Sequence, residues 1–338
     1  MQPKQVLVLM TVLLVCGATL EAVIGPLGIA LGRILPATWA FLHGSTGTDA
    51  LVMGDIRLPR LVVAILVGMG LASTGAVLQA LLRNPMADPA VIGVSSGGSL
   101  GAVAAIQLGL SQHGLWLTPM SAFAGSLAVV FVIYRLSTAR GSTSLYSLLL
   151  AGVAIGTLCG ALVSLLLSLA PLGTMQQMLF WLMGGLSGST WKEVCMLLVF
   201  VMGGIAIYWL QSPALDVLSI GEEHAQGVGV RLQAVKQILF TTSALVVGAC
   251  VSTTGVIGFV GLIVPHLLRL WVGPGHRWLI VLSALGGAIL LTFSDVLARL
   301  VLMPVEINIG IVTSCLVVPF FLYLLRRRDA AARWGTAP

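Results

Sequence analysis

The stretch "VGMGLASTGAVLQALLRNP" (Val67–Pro85) recurs later in the chain as "VGACVSTTGVIGFVGLIVP" (Val247–Pro265), and the two align without a gap. Six positions are identical, among them Thr74 with Thr254. Chance similarity between two glycine-rich apolar segments is the alternative. A true repeat would begin the second and the seventh of the predicted membrane spans, so its two copies would run in opposite directions. Inverted repeats of this kind are typical of transporters, which use the two halves to open a pathway to alternate sides.

The composition indicates a membrane protein. The 338 residues are 58% hydrophobic and 8% charged, with a mean hydropathy of +1.07, whereas soluble domains carry about 25% charged residues. Lipid must therefore cover most of the surface. The net charge of +6 does not indicate a nucleic-acid partner, because basic residues accumulate in the cytoplasmic loops of membrane proteins. The five cysteines lie far apart without metal-ligand spacing, so we expect no metal site and no cofactor.

About ten stretches are apolar and long enough, at roughly 20 residues each, to cross a bilayer. The N-terminal run resembles a signal peptide, but it stays apolar through Leu31, and we expect it to be an uncleaved first span. The predicted spans lie near residues 6–31, 56–82, 90–108, 117–136, 144–168, 191–210, 236–256, 257–273, 277–299 and 306–325. The sequence therefore predicts an all-α polytopic membrane protein of about ten transmembrane helices.

An even number of spans puts both termini on one side of the membrane. With ten spans, eleven basic residues fall on the side of the termini and five on the other, with Arg269 ambiguous. This asymmetry predicts that both termini are cytoplasmic. We expect one transmembrane domain over residues 1–338, with a first repeat at about 56–168 and a second at about 236–325.

A polar segment interrupts the apolar pattern at "LSIGEEHAQGVGV" (Leu218–Val230). Helix breakers bracket it, with Pro213 and Gly221 before and Gly227 and Gly229 after. The pattern over residues 213–231 predicts a short cytoplasmic helix that can transmit the motion of a partner. The alternative is an inert connector, although most helix connections need only about 2–8 residues.

The chain shows no energy source of its own. A phosphate-binding loop reads GxxxxGK[ST], and none of the three lysines follows a glycine-rich turn. Gradient-driven carriers keep ionisable groups within the membrane, but of the eleven carboxylates only Glu21 and Asp295 fall inside predicted spans rather than within the first three residues of one. Asp295 lies four residues before Arg299, a spacing typical of a structural ion pair. If ATP drives the protein, a separate subunit must hydrolyse it.

Several longer motifs resemble the permease family for iron-siderophore, haem and vitamin B12 uptake, the ten-span type II ABC importers of bacterial inner membranes. The likeness runs from about residue 55 to the C-terminus. The motifs that carry it are Arg57–Ala102, "LLLAGVAIG" (148–156), "FWLMGGLSGSTW" (180–191), "LSIGEEHAQGVGV" (218–230), "GFVGLIVPHLLRLWVGPGHR" (258–277) and "SDVLARL" (294–300).

This resemblance implies a multi-pass protein of the bacterial inner membrane that works with several partners. They are a second permease copy or a related permease, two cytoplasmic ATP-binding subunits and a periplasmic binding protein that delivers a metal chelate. The polar segment would then be the coupling helix, which sits in a cleft of the ATP-binding subunit. Its residues are Gly221, Glu222, Glu223, His224, Ala225, Gln226, Gly227, Val228 and Gly229.

The resemblance also assigns roles to residues near the ends of the spans. Arg57, Arg60 and Arg299 match positions at which the family receives two glutamates of the binding protein. Anchoring of these arginines to lipid headgroups is the alternative. The segment "RNPMADP" resembles the inner gate of the family, with Asn84 and Met86 near the constriction. Ser142 and Thr143 are assigned to the same gate by a looser match.

The predicted function is therefore transport without covalent chemistry. We expect an ATP-driven importer of haem or a ferric siderophore, with cobalamin as the alternative cargo of the same machine. A gradient-driven secondary carrier is the alternative from another class. An intramembrane enzyme ranks last, because the spans contain no paired His/Glu or Ser/Lys constellation.

Overall fold

The computed structural model describes residues 2–25, 30–139 and 142–319, and most of these residues are helical. The first half of the chain forms α1 (Pro3–Val23), α2 (Leu31–Leu42), α3 (Thr48–Leu51), α4 (Leu58–Leu81), α5 (Val94–Gln107), α6 (Leu117–Ser137), α7 (Leu145–Leu169) and α8 (Leu172–Leu182). Between α6 and α7 lies a hairpin of two short antiparallel strands, β1 (Thr138–Ala139) and β2 (Ser142–Thr143).

In the described part of the second half, every regular element is a helix. Its helices are α9 (Trp191–Leu197), α10 (Gly203–Leu210), α11 (Ser212–Ile220), α12 (Glu222–Gly227), α13 (Leu232–Thr254), α14 (Val260–Val272), α15 (His276–Leu300) and α16 (Ile309–Pro319). π-Helical turns at Val52–Arg57 and Leu198–Met202 join α3 to α4 and α9 to α10. Each joined pair therefore forms one continuous membrane-length helix.

The described helices make this a multi-pass membrane protein. Seven of them, counting each joined pair once, are long and apolar enough to cross a bilayer, and α14 and α16 are shorter apolar helices. α5 has 14 residues and spans about 21 Å at 1.5 Å per residue, less than the roughly 30 Å of a hydrocarbon core. The count of ten spans and the side of the termini stay predictions.

The predicted first span, 6–31, extends too far at its C-terminal end. α1 ends at Val23, and the sequence continues Gly25-Pro26, where the residue before proline is disfavoured in helical conformation. Hydropathy alone could not show this, because the residues beyond the break are also apolar. At the other end of the chain, α16 begins at Ile309, and residues 320–325 of the last predicted span lie outside the described residues.

Three helices form the centre of the bundle. In their most apolar windows, 78% of the residues of the α3–α4 helix, 72% of α13 and 67% of α15 are buried, against 22–28% for α1, α6, α7 and the α9–α10 helix. Gly68 and Gly287 bring the backbones of α4 and α15 into contact, because a Cβ at either would overlap the other residue. Such small-residue contacts replace the hydrophobic driving force that is missing between helices in lipid.

The packing of α4 and α13 is reciprocal. α4 packs against α15 and α14, which follow α13 in the chain, while α13 packs against α6 and α5, which follow α4. This exchange of partners is what an inverted repeat predicts, since α4 and α13 begin the two similar stretches. The repeat, with its boundaries at 56–168 and 236–325, stays a prediction.

Candidate functional site: two ends of the helix bundle

The polar segment forms a short exposed helix, as its sequence predicts. α12 covers Glu222–Gly227, follows an extended Gly221 and is followed by Gly229 with φ +84°, a conformation that favours glycine. Ala225 is fully buried and holds one face of α12 on the bundle, while the other side chains of the helix are exposed or half-buried. The glycine-bracketed segment therefore presents one short helix on the surface of the bundle.

One detail of this segment differs from the prediction. Pro213 does not end the preceding helix but lies in the first turn of α11. Proline is tolerated there because the first amide groups of a helix have no intrahelical acceptor, and its fixed φ suits the helix. Two short helices, α11 and α12, therefore connect the α9–α10 helix to α13.

A buried lysine attaches α12 to the bundle. Lys236 of α13 is 3% exposed, and its Nζ lies 2.9 Å from Glu222 Oε2. The same Nζ donates to the carbonyl oxygen of Thr143, 3.3 Å away. Gln233 Oε1 accepts from the amide of Thr143 at 3.1 Å. Gln233 and Lys236, three residues apart, share one face of α13, and this spacing is the only sign of the contact in the sequence.

The predicted gate residues have different surroundings. Asn84 is exposed, and its Oδ1 accepts from the amide of Met86 at 2.9 Å, while Met86 is 44% exposed. Thr143 is buried and its hydroxyl lies 3.0 Å from that of Thr138. The side chain of Ser142 lies outside the description. Asn84 and Met86 thus point to an open surface, and the hydrogen bonds of Thr143 lead to α13.

The loop that carries Asn84 and Met86 has a buried carboxyl group behind it. Asp88 Oδ1 accepts from the amide of Ala90 at 2.9 Å and caps the 3₁₀ turn Pro89–Ile92. Burial raises the pKa of Asp88, and the amide hydrogen bond opposes that rise only in part. The loop is therefore anchored at Asp88 and exposed at Met86.

Arg57, Arg60 and Arg299 come together, but not as an exposed rim. Arg57 and Arg299 are 5% and 4% exposed, and the Arg60 side chain is 11% exposed. Both interpretations of these arginines, docking and headgroup anchoring, assumed guanidinium groups that reach water. The burial overturns that premise for Arg57 and Arg299, whereas docking itself stays a prediction.

The arginines are buried because carboxylates and carbonyl groups surround them. Arg60 Nη2 lies 2.9 Å from Asp295 Oδ1, and its Nη1 lies 2.9 Å from Glu306 Oε2. Arg299 pairs with Asp295 at 3.0 Å and with Glu21 at 3.8 Å. Breaking such a buried pair costs several kcal/mol. The expected structural pair of Asp295 with Arg299 is present, within a larger network that the sequence did not show.

Backbone carbonyl groups complete this arginine cluster. Arg57 Nη1 donates to the carbonyl oxygens of Ala22 and Val23, and Arg299 Nη1 donates to that of Ile24 at 2.7 Å. The last carbonyl groups of a helix have no intrahelical donor, so two arginines satisfy the end of α1. They fix α1 to the bundle at the point where its helix stops.

The arginine cluster and α12 lie at opposite ends of the bundle. Asp216 of α11 accepts from the amide of His276 at 2.8 Å, which places α11 and α12 at the start of α15. Asp295 and Arg299 lie near the end of the same helix. α15 has 25 residues, about 38 Å at 1.5 Å per residue. One end therefore offers α12 and the other the arginine cluster, about a membrane thickness apart.

Comparisons with known proteins agree over nearly the whole chain. The family model described as the FecCD transport family matches residues 9–327. The cobalamin import system permease protein BtuC of Halobacterium salinarum is 45% identical over 86% of this chain and 77% of that protein. The hemin transport system permease protein HmuU of Yersinia pestis is 38% identical over 97% of both chains. The Fe(3+)-citrate import system permease protein YfmE of Bacillus subtilis is 37% identical over 91% and 93%.

Solved structures show the same fold. A structure described as an inward-facing conformation of a metal-chelate type ABC transporter aligns with a TM-score of 0.84 at 30% identity, over 96% of this chain and 99% of that one. PsaBC from Streptococcus pneumoniae in complex with a Fab aligns with a TM-score of 0.56 at 16% identity, over 87% and 95%. The second likeness concerns the fold alone.

Proposed function

Because the chain belongs to the FecCD transport family, we propose that it is the permease subunit of an ATP-driven, binding-protein-dependent importer of a metal chelate. The relatives named above are import permeases, transport subunits rather than enzymes, so ATP hydrolysis belongs to a separate subunit. The observation that carries the proposal is α12, an exposed helix at one end of a membrane bundle.

We infer that α12 is the surface through which movement of the ATP-binding subunits reaches the permease. Its glycines leave room for a partner, because a Cβ at Gly221 or Gly227 would meet no atom within 4 Å. We infer that α12 sits in a cleft of the ATP-binding subunit and that closure of two such subunits moves the helices behind it. Residues 221–229 are the contact in this proposal, and the bundle supplies the pathway.

The arginine cluster is the proposed docking end for a periplasmic binding protein. Of its three arginines, Arg60 is the candidate for direct contact, because its guanidinium partner Glu306 is 31% exposed in its side chain and sits in the loop after α15. Arg57 and Arg299 hold the end of α1 instead. A carboxylate of the binding protein would replace Glu306 on Arg60.

A second permease copy completes the proposed pathway. A homodimer, or a pair of related permeases, would enclose the pathway between the copies, with Asn84, Met86, Ser142 and Thr143 at the inner gate. Two ATP-binding subunits, both chain termini and α12 would then face the cytoplasm. The arginine cluster would face the periplasm, and the complex would reside in a bacterial inner membrane.

The proposed cargo is haem or a ferric siderophore, with cobalamin as the alternative. Relatives at 37–45% identity are named for cobalamin, hemin and ferric citrate, which share a metal held by an organic chelator. This spread supports the class of cargo. The 45% identity to a cobalamin permease supports the alternative as directly as the two iron permeases support the first choice.

The alternative function, a gradient-driven carrier, is disfavoured by the positions and partners of the buried carboxylates. Asp295 faces two arginines at 2.9 and 3.0 Å, near the end of α15, and Glu21 lies near the end of α1. Proton relays use ionisable groups along the pathway within the membrane. These carboxylates instead hold helices together at one end of the bundle.

Reconstitution tests the proposal. Proteoliposomes that hold the permease and its ATP-binding subunit are supplied with the binding protein loaded with haem, a ferric siderophore or cobalamin. We expect uptake of one of these chelates that requires both ATP and the binding protein, and that continues after a protonophore is added. Accumulation by the permease alone, driven by a proton or sodium gradient, would overturn the proposal in favour of a secondary carrier.

A further inference from the structure

Lys236 contacts two segments that the sequence assigned to different tasks. Its ammonium group lies 2.9 Å from Glu222 Oε2, on the first residue of α12, and 3.3 Å from the carbonyl oxygen of Thr143 in β2. α12 is the proposed ATPase contact, and Thr143 belongs to the proposed gate. One side chain on α13 thus touches both.

The contact is buried, so it is not an ordinary surface ion pair. Lys236 and Thr143 are each 3% exposed, and the Glu222 side chain is 32% exposed. A buried ammonium group needs partners for its charge and its three N–H donors. If α12 moved away from Lys236, the lysine would lose its carboxylate, so α12 and α13 are constrained to move together.

The gate side of the link has a second point of attachment. Gln233, one helical turn before Lys236, accepts from the amide of Thr143 at 3.1 Å. Thr143 is therefore held through both its N–H and its C=O groups by one face of α13. Thr143 also pairs with Thr138 of β1, so both strands follow α13.

We propose that Lys236 is a positioning residue that joins α12 to the β1–β2 hairpin, so that displacement of α12 by a partner is passed directly to the hairpin. This inference rests on the proposed function for its consequence in transport, and on the contacts above for the link itself. Gln233 fixes the hairpin, Lys236 carries the charge contact, and Glu222 is the end of the link that reaches the surface.

The link can be tested on the purified permease, whatever it transports. We expect Glu222→Gln to speed hydrogen–deuterium exchange of the Thr143 amide about tenfold, the size of an ordinary coupling between sites. Glu223→Gln removes a neighbouring carboxylate that is exposed on the same helix and serves as the matched control with unchanged exchange. Unchanged exchange in Glu222→Gln would overturn the link, even if the permease transports normally.

Reconstituted transport tests the consequence. We expect Lys236→Met to lower chelate uptake per ATP hydrolysed about tenfold while the ATP-binding subunits remain bound. The exchanged pair Glu222→Lys with Lys236→Glu keeps an ion pair but leaves the carbonyl oxygen of Thr143 without a donor, so we expect uptake per ATP to stay low in it. Lys236→Arg keeps N–H donors for both Glu222 and Thr143 and should retain most of the wild-type uptake. Equal uptake per ATP in wild type and Lys236→Met would overturn the inference, whereas wild-type protein without ATP-dependent uptake would overturn the proposed function instead.

Discussion

Gly68 of α4 and Gly287 of α15 lie back to back, and a Cβ atom added at either would overlap the carbonyl oxygen of the other. We expect Gly68→Ala and Gly287→Ala each to lower the free energy of unfolding by about 1–3 kcal/mol, the usual cost of overpacking. Thermal unfolding in detergent measures this. Gly203→Ala is the matched control, since its Cβ would meet no atom within 4 Å. An equal effect at Gly203 would contradict the close contact.

Asp295 lies between two arginines, and its loss should be costly. Asp295→Asn leaves the guanidinium groups of Arg60 and Arg299 without their shared carboxylate, and we expect a loss of about 3–5 kcal/mol in unfolding free energy. Asp49→Asn is the control: Asp49 pairs with Arg33 at 3.7 Å, with side chains 50% and 73% exposed, and such pairs contribute about 1 kcal/mol or less. Similar effects of the two substitutions would show that the cluster is not structural.

Glu306 should make stability fall on acidification. Burial alone would raise its pKa, but the Arg60 guanidinium and the Ser187 hydroxyl outweigh burial, and the pKa of Glu306 lies below its ordinary 4.5. The folded state therefore binds this proton less readily than the unfolded state. The stabilisation is present above about pH 4.5 and is lost as the pH falls through the lowered pKa.

Denaturant unfolding of wild type and Glu306→Gln between about pH 6 and pH 3 tests this assignment. We expect the variant to lose less stability over that interval than wild type, because its side chain does not titrate. Parallel profiles for the two proteins would show that the Arg60–Glu306 pair contributes nothing to the acid sensitivity.

The affinity of the permease for the binding protein should depend on the Arg60–Glu306 pair. If Glu306 competes for Arg60, Glu306→Gln should strengthen capture of the binding protein at low salt by a few fold, and rising ionic strength should reduce the difference. Arg60→Gln should weaken capture. Binding measured at several salt concentrations decides the matter, and an unchanged affinity in both variants would exclude Arg60 from the docking surface.

A bulky side chain on α12 should uncouple ATP hydrolysis from uptake without unfolding the permease. Because a Cβ at Gly227 meets open space, we expect Gly227→Trp to keep its unfolding temperature but to lower ATP-driven uptake about tenfold or more. Gly32→Trp is the control, on an equally open glycine of α2 near the other end of the bundle. Normal uptake by Gly227→Trp would remove α12 from the proposed contact.

Local sequence patterns were sufficient to predict most of the long helices and the short helix α12. The apolar runs predicted most of the long helices, and the glycines around Glu222 predicted a short exposed helix, because both features depend on neighbouring residues. The π-helical turn before Leu58 and the end of α1 at Val23 were not visible, since the apolar pattern runs through both.

Contacts between distant residues could not be read from the sequence. Arg57 and Arg299 look like surface arginines, and their burial follows from carbonyl groups at the end of α1 and from Glu21, which lies 278 residues from Arg299. Lys236 looks like one more loop cation, and only the fold places it between Glu222 and Thr143. Charge pattern revealed the presence of these groups but not their partners.

The contact of α1 with Arg299 has a consequence for biogenesis. Translation delivers Glu21 to the membrane long before the ribosome reaches Arg299, and a carboxylate without a partner in lipid is costly. The end of α1 therefore cannot complete its contacts with Arg299 until α15 has been inserted, which makes this docking a late event in assembly. A chain whose synthesis stops before α15 would leave the end of α1 with Arg57 as a partner but without Arg299.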